Sequence, residues 1–196
     1  MVHPPPSLGL DNRKFGMWAF LASEVLFFGV LITNYLVLSK QDTLGTFHGF
    51  EIGQEMLNIP LTAFNTFVLL TSSFTVVLAL QYIQRGEQLK FKLALLVTLL
   101  FGSFFVGVQA FEYYQLIVHE GLNMSSLFGA SFFTLTGFHG AHVVIGLIWL
   151  VVILFKAFGL MGGFSKTDNM GIELFGLYWH FVDIVWLLLF SLVYLI

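Results

Sequence analysis

Five long apolar runs dominate the chain, at about residues 15–38, 60–83, 91–118, 130–158 and 174–196, and the stretches between them hold most of the charge. Each run reaches the roughly 20 residues that an α-helix needs to cross a hydrocarbon core of about 30 Å. The runs are continuous rather than alternating and far too long for barrel strands, so the pattern predicts membrane-spanning helices. The third and fourth exceed the minimum length, which predicts tilt or a protruding end.

The basic residues give these helices a direction. Arg13 and Lys14 precede the first run, Arg85, Lys90 and Lys92 surround the turn between the second and third, and Lys156 and Lys166 flank the link between the fourth and fifth. With five spans, those seven share one side and only Lys40 falls on the other, so the N-terminus is expected to be cytoplasmic and the C-terminus outside. The outer loops would be 39–59, with Asp42, Glu51 and Glu55 and room for a short surface helix, and 119–129. The inner turn "QRGEQLK" is short and predicts an antiparallel helix pair. No internal repeat or inverted pair of Gly/Pro-broken helices is present, so the usual transporter signature is missing.

Composition sharpens this reading. With 58% hydrophobic residues, 10% charged residues and a mean hydropathy of +0.89, the chain cannot be a water-soluble domain. A net charge of −3 gives no ground for a nucleic-acid partner. The absence of cysteine excludes disulfides, thiolate metal sites and iron–sulfur clusters. The opening "MVHPPPSLGLDNRKFG" lacks a small-residue cleavage site, so the first span is expected to be retained. The expectation is one all-α membrane domain over residues 1–196, a polytopic bundle of five transmembrane helices.

Polar groups inside the spans are the candidates for chemistry, because each is costly in lipid without a partner. Glu24 lies in "FLASEVLFFGVLI", about 13 Å into the first helix and near mid-depth. Its carboxyl could be held neutral by hydrogen bonds, join a proton or ion path, or meet a lipid headgroup or another subunit. Thr98, Gly102, Phe105, Gln109 and Glu112 share one face of the third helix. Thr62, Asn65, Thr66, Ser72 and Ser73 form a comparable stripe on the second, and Trp179, Asp183 and Trp186 on the fifth. Such stripes should face other helices, with glycines permitting close approach. His139 and His142 are three apart on one face of the fourth helix, and His180 sits on the fifth. The three imidazoles could ligate a metal or haem, or could bond to Asp183, a Glu or backbone carbonyls across helices. Removing Asp183 is expected to strand polar partners.

Specific strings go further. "ASEVLFFGV", "FNTFVLLTSS", "VQAFEYYQ", "GASFFTLTGFHGAHVVIGLIW" and "LYWHFVDIVWLLLFSLVYL" resemble, in order, the signature segments of subunit III of haem–copper respiratory oxidases. The likeness touches every span and is to the short, five-helix form, which lacks the helices of one arm of the family's lipid-holding cleft. It implies a chain without haem or copper of its own, packed on the catalytic subunit I beside subunit II and a small subunit IV, which carry or surround those cofactors. It further implies a role in sustained turnover and proton uptake, bound phospholipid, and residence in a bacterial plasma membrane. Glu24 matches the family's buried helix carboxyl near the cleft and subunit I. Lys156, in "LFKAF", stands where longer members often carry Arg near a lipid phosphate, with the charge kept and the bidentate geometry lost. His139, His142, His180 and Asp183 match a buried polar cluster, to which Asn65, Thr66, Gln109 and Glu112 are added from their stripes.

The function expected on this basis is that of a non-redox subunit III of a terminal oxidase that reduces oxygen and pumps protons, with cytochrome c as electron donor. A quinol oxidase subunit III is the nearest alternative. A haem b membrane anchor and a proton-coupled transporter represent other classes.

Overall fold

The computed structural model describes residues 11–43, 56–122, 124–159, 164 and 169–195. Among the described residues five helices carry the fold: α1 Asn12–Thr43, α2 Ile59–Arg85, α3 Gln88–Val118, α4 Leu127–Ala157 and α5 Met170–Leu189. A π-helical segment, Phe190–Leu195, continues α5. All five helices are long and apolar enough to cross a membrane, and the described residues contain no strand. The helices outrun the apolar runs by about a turn at several ends, because polar residues such as Asn12 and Lys40 extend them toward the headgroup region. The surface helix expected within 39–59, with Glu51 and Glu55, and Lys166 lie outside the described residues, as does the side chain of Asp42.

Local signals fix the helix ends. Asn58 caps α2, accepting a hydrogen bond from the Leu61 amide, and Pro60 occupies its first turn, where no amide partner is needed. Ser126 caps α4 by accepting from the Gly129 amide. Gly86, at φ 80°, ends α2 in the left-handed conformation that only glycine adopts freely, and α3 starts two residues later. At this turn Glu87 pairs with Lys90 at 2.5 Å, and that hydrogen bond holds the Glu87 carboxyl below its ordinary value.

α2 and α3 form the expected antiparallel hairpin; α4 packs on α3, and α5 closes the group against α4 and α2. Trp179, Trp186, Phe105, Phe132 and Phe175 are fully buried between them. The closest approach is at Trp179. A Cβ on Gly146 would lie 2.7 Å from its indole ring, and one on Gly102 would lie 3.0 Å from the same ring and 2.7 Å from Leu147. Two glycines on different helices thus let both helices close on one indole, which donates to the Ser72 hydroxyl at 3.0 Å.

α1 is attached differently. It lies on α4 and α5 and scarcely touches α2. Its fully buried side chains are Leu21, Phe28 and Tyr35, one every seven residues, a seam far narrower than the face of an ordinary core helix. Only 11% of its apolar window is buried, against 50% for α5. The rest of α1 presents Val25, Leu26, Val30 and Val37 outward.

Candidate functional site

The polar residues singled out from the sequence do not form one cluster. They divide into separate arrangements, because each belongs to a different helix–helix seam.

The first lies on the α1–α4 seam. Glu24 Oε2 is 3.2 Å from His142 Nε2. His142 Nδ1 is 2.7 Å from the Phe138 carbonyl oxygen, so Nδ1 carries a proton and donates it there. Nε2 then either accepts from a neutral Glu24 hydroxyl or, in an imidazolium, donates to a carboxylate. Phe27, Phe28 and Phe138 surround the pair, and Tyr178 on α5 donates to the His142 carbonyl oxygen at 2.8 Å.

His139 goes elsewhere. It is buried in the bundle, stacked on Trp186 with ring centroids 4.9 Å apart and met edge-on by Phe105 at 6.0 Å. Neither ring nitrogen has a hydrogen-bond partner. Residues three apart on a helix differ by about 60° in direction, and here that angle straddles the boundary between the α5-facing and α1-facing sides of α4. The shared face expected for the two imidazoles is therefore corrected.

On the α2–α5 seam, His180 Nδ1 meets the Ser73 hydroxyl at 2.5 Å. Ser73 also lies beside Asp183, but its hydroxyl is turned to His180, and neither carboxyl oxygen of the buried Asp183 has a hydrogen-bond partner. The expectation that Asp183 anchors polar neighbours is thus corrected: substitution strands no donor. Asp183→Asn is accordingly expected to leave the thermal stability of the assembled complex unchanged or higher, since it removes a buried carboxyl without leaving a partner unpaired. A clear fall in the unfolding midpoint of that variant would contradict this placement.

Glu112 is the best-partnered acid. It is buried on the α2–α3 seam, accepting from Thr62 at 3.0 Å, Gln109 at 3.1 Å and Tyr194 at 3.1 Å. Asn65 donates to the Phe105 carbonyl oxygen at 3.1 Å, and Thr66 accepts from Trp186 at 2.9 Å. Tyr194 was not among the sequence candidates, although 183, 186, 190 and 194 continue the inward spacing of α5. It arrives through the π-helical segment, a distortion that hydrophobic periodicity does not reveal. Lys156 is half-buried at the end of α4, its ammonium 4.3 Å from the centroid of the Phe164 ring. Glu173, also not anticipated, binds Lys14 at 2.6 Å, joining the starts of α1 and α5.

Comparison with known proteins now gives these arrangements a setting. The sequence profile of cytochrome c oxidase subunit III matches residues 8–196. The chain belongs to the cytochrome c oxidase subunit III family. Relatives include a probable quinol oxidase subunit 3 of Staphylococcus saprophyticus, 35% identical over 185 residues, 94% of this chain and 89% of the relative. The cytochrome c oxidase subunit 3 of Bacillus sp. (strain PS3) is 33% identical over 185 residues, 94% of this chain and 86% of the relative. The quinol oxidase subunit 3 of Bacillus spizizenii is 35% identical over 181 residues, 92% and 85% of the two chains.

This subunit III is thus a multi-pass bacterial membrane protein of a haem–copper respiratory oxidase complex. Among the described residues no three His, Cys, Asp or Glu side chains converge. The intramembrane imidazoles stand apart, His142 against Glu24, His139 against Trp186 and His180 against Ser73.

Proposed function

We propose that this subunit III docks on the catalytic subunit through the outward face of α1, stabilises that subunit during turnover and supports its proton uptake. The observation that carries this reading is the asymmetry of α1. A membrane helix with a single buried seam and a broad apolar face is built to be covered by something other than its own chain. The Glu24–His142 contact ties that helix to α4 and sets two polar groups just behind the docking face. Lys156, at the end of α4 that positive residues place inside, is positioned to meet a phospholipid phosphate. The chain carries no redox centre in this role, and the donor expected from the sequence is cytochrome c.

The test is purification through a tag on this chain after gentle solubilisation. An oxygen-consuming complex with a haem–copper spectrum should accompany the chain, and the chain should be colourless once stripped from its partners. Offering the complex reduced cytochrome c and a quinol in parallel then tests the donor. A chain that arrives alone and keeps a haem spectrum would overturn the reading.

A further inference from the structure

Between α1, α2 and α5 lies a cavity of about 340 Å³ that none of the roles above uses. Its walls are apolar, formed by Trp18 of α1, Val76, Val77 and Leu80 of α2, and Leu177 of α5. Among the described residues, polar side chains reach it at its two ends. At the rim, Lys14 and Glu173 form their ion pair at 2.6 Å, which leaves the ammonium with donors to spare. At the other end stands His180, seven residues along α5 from Glu173, about 10 Å deeper into the membrane. Its Nδ1 is taken by Ser73, so Nε2 is the nitrogen left for the cavity.

Gly176 lies between these two ends, where the missing side chain keeps the slot open; even a Cβ there would only reach ordinary contact with Val76 at 3.5 Å. Because α1 and α2 scarcely touch, the slot opens sideways, where a molecule dissolved in lipid could enter without crossing water.

The geometry points to a binding site for a quinone or its quinol: a planar ring with opposed oxygens, one toward Lys14 and the other toward His180 Nε2, with the isoprenoid tail leaving between α1 and α2. The size suits one ring system. A diacyl phospholipid satisfies the rim, but it would lay an acyl chain against the deep imidazole and leave that nitrogen unpaired at a cost. Opposed polar ends across an apolar slot match the ring and not the lipid, and the indole of Trp18 offers it an aromatic wall. The site belongs to this chain whichever donor the complex uses, and binding alone is assigned to it.

The test uses the intact, purified complex and an azido-naphthoquinone with a short prenyl tail, followed by illumination and peptide mapping. Label is expected on the α1 peptide containing Trp18 and on the α5 peptide spanning 173–180, with unlabelled naphthoquinone competing. Gly176→Leu, which fills the slot, should reduce labelling about tenfold. Trp18→Ala, on the exposed wall, gives the same reading should the first variant fail to assemble. Label confined to other subunits of an intact complex, or displaced as well by phospholipid as by quinone, overturns the site. That outcome is distinct from failure of any complex to co-purify, which would instead remove the docking reading.

Discussion

Gly146→Ala is expected to loosen this subunit more than any other change of a single methyl group. The added Cβ would sit 2.7 Å from one atom of the Trp179 ring and 2.9 Å from another, closer than real Cβ contacts come. The indole has little room to yield, because α3 also approaches it closely at Gly102, where a Cβ would lie 3.0 Å from the ring. It cannot rotate freely either, since its nitrogen is committed to Ser72. Overpacking of a rigid, fully enclosed ring costs about 1–3 kcal/mol, and loss of the buried hydrogen bond adds about 1 kcal/mol. The measurement is retention of subunit III in the purified complex over a thermal ramp in detergent. Gly140→Ala is the control, because nothing lies within 4 Å of the Cβ it introduces, and it should ramp like the parent. Equal retention of the two variants would mean that Trp179 is not held as described.

The same tryptophan shows what a sequence can and cannot disclose. The spans were legible because hydrocarbon thickness imposes a length, and because apolar runs of that length cannot be confused with soluble helices. The stripes were legible too: Thr98, Gly102, Phe105, Gln109 and Glu112 are all buried, as their spacing required. Periodicity, however, reports which side of a helix faces inward and not which neighbour waits there. His139 and His142 differ by one step in phase, yet one enters an aromatic box and the other reaches a different helix. Asp183 sits on an inward stripe, as expected, but its nearest hydroxyl prefers His180. Tyr194 reaches Glu112 through a π-helical turn, and Gly146 gains its meaning only from an indole 33 positions later in the chain. Each of these depends on a distance between elements far apart in sequence, which no single helix encodes.

Glu24 and His142 give the second large effect. His142→Leu is expected to free α1 from the bundle and to cost the complex its subunit III during purification. The substitution leaves the half-buried Glu24 carboxyl facing an apolar side chain across the α1–α4 seam, and a polar group left without its partner there costs about 1–3 kcal/mol. What remains to hold α1 is the seam of Leu21, Phe28 and Tyr35, the ring contacts of Phe20 and Phe27, and the Lys14–Glu173 ion pair near its start. Glu24→Gln should behave oppositely and leave the complex assembled. His142 Nδ1 keeps its proton on the Phe138 carbonyl, so a neutral imidazole presents Nε2 as an acceptor, and the Gln amide can donate to it. The pair therefore needs a donor at position 24 and not a charge. The double variant Glu24→Leu, His142→Leu should recover much of the retention lost by His142→Leu alone, because exchanging both partners for apolar groups leaves nothing unpaired. Subunit III content per haem, read by quantitative mass spectrometry across these variants, decides the matter. A His142→Leu complex that keeps its full complement, or a double variant no better than the single, would show that α1 is held without the Glu24–His142 contact. Loss of the subunit in Glu24→Gln would mean that the pair is held as an ion pair, with the charge at position 24 essential to the seam.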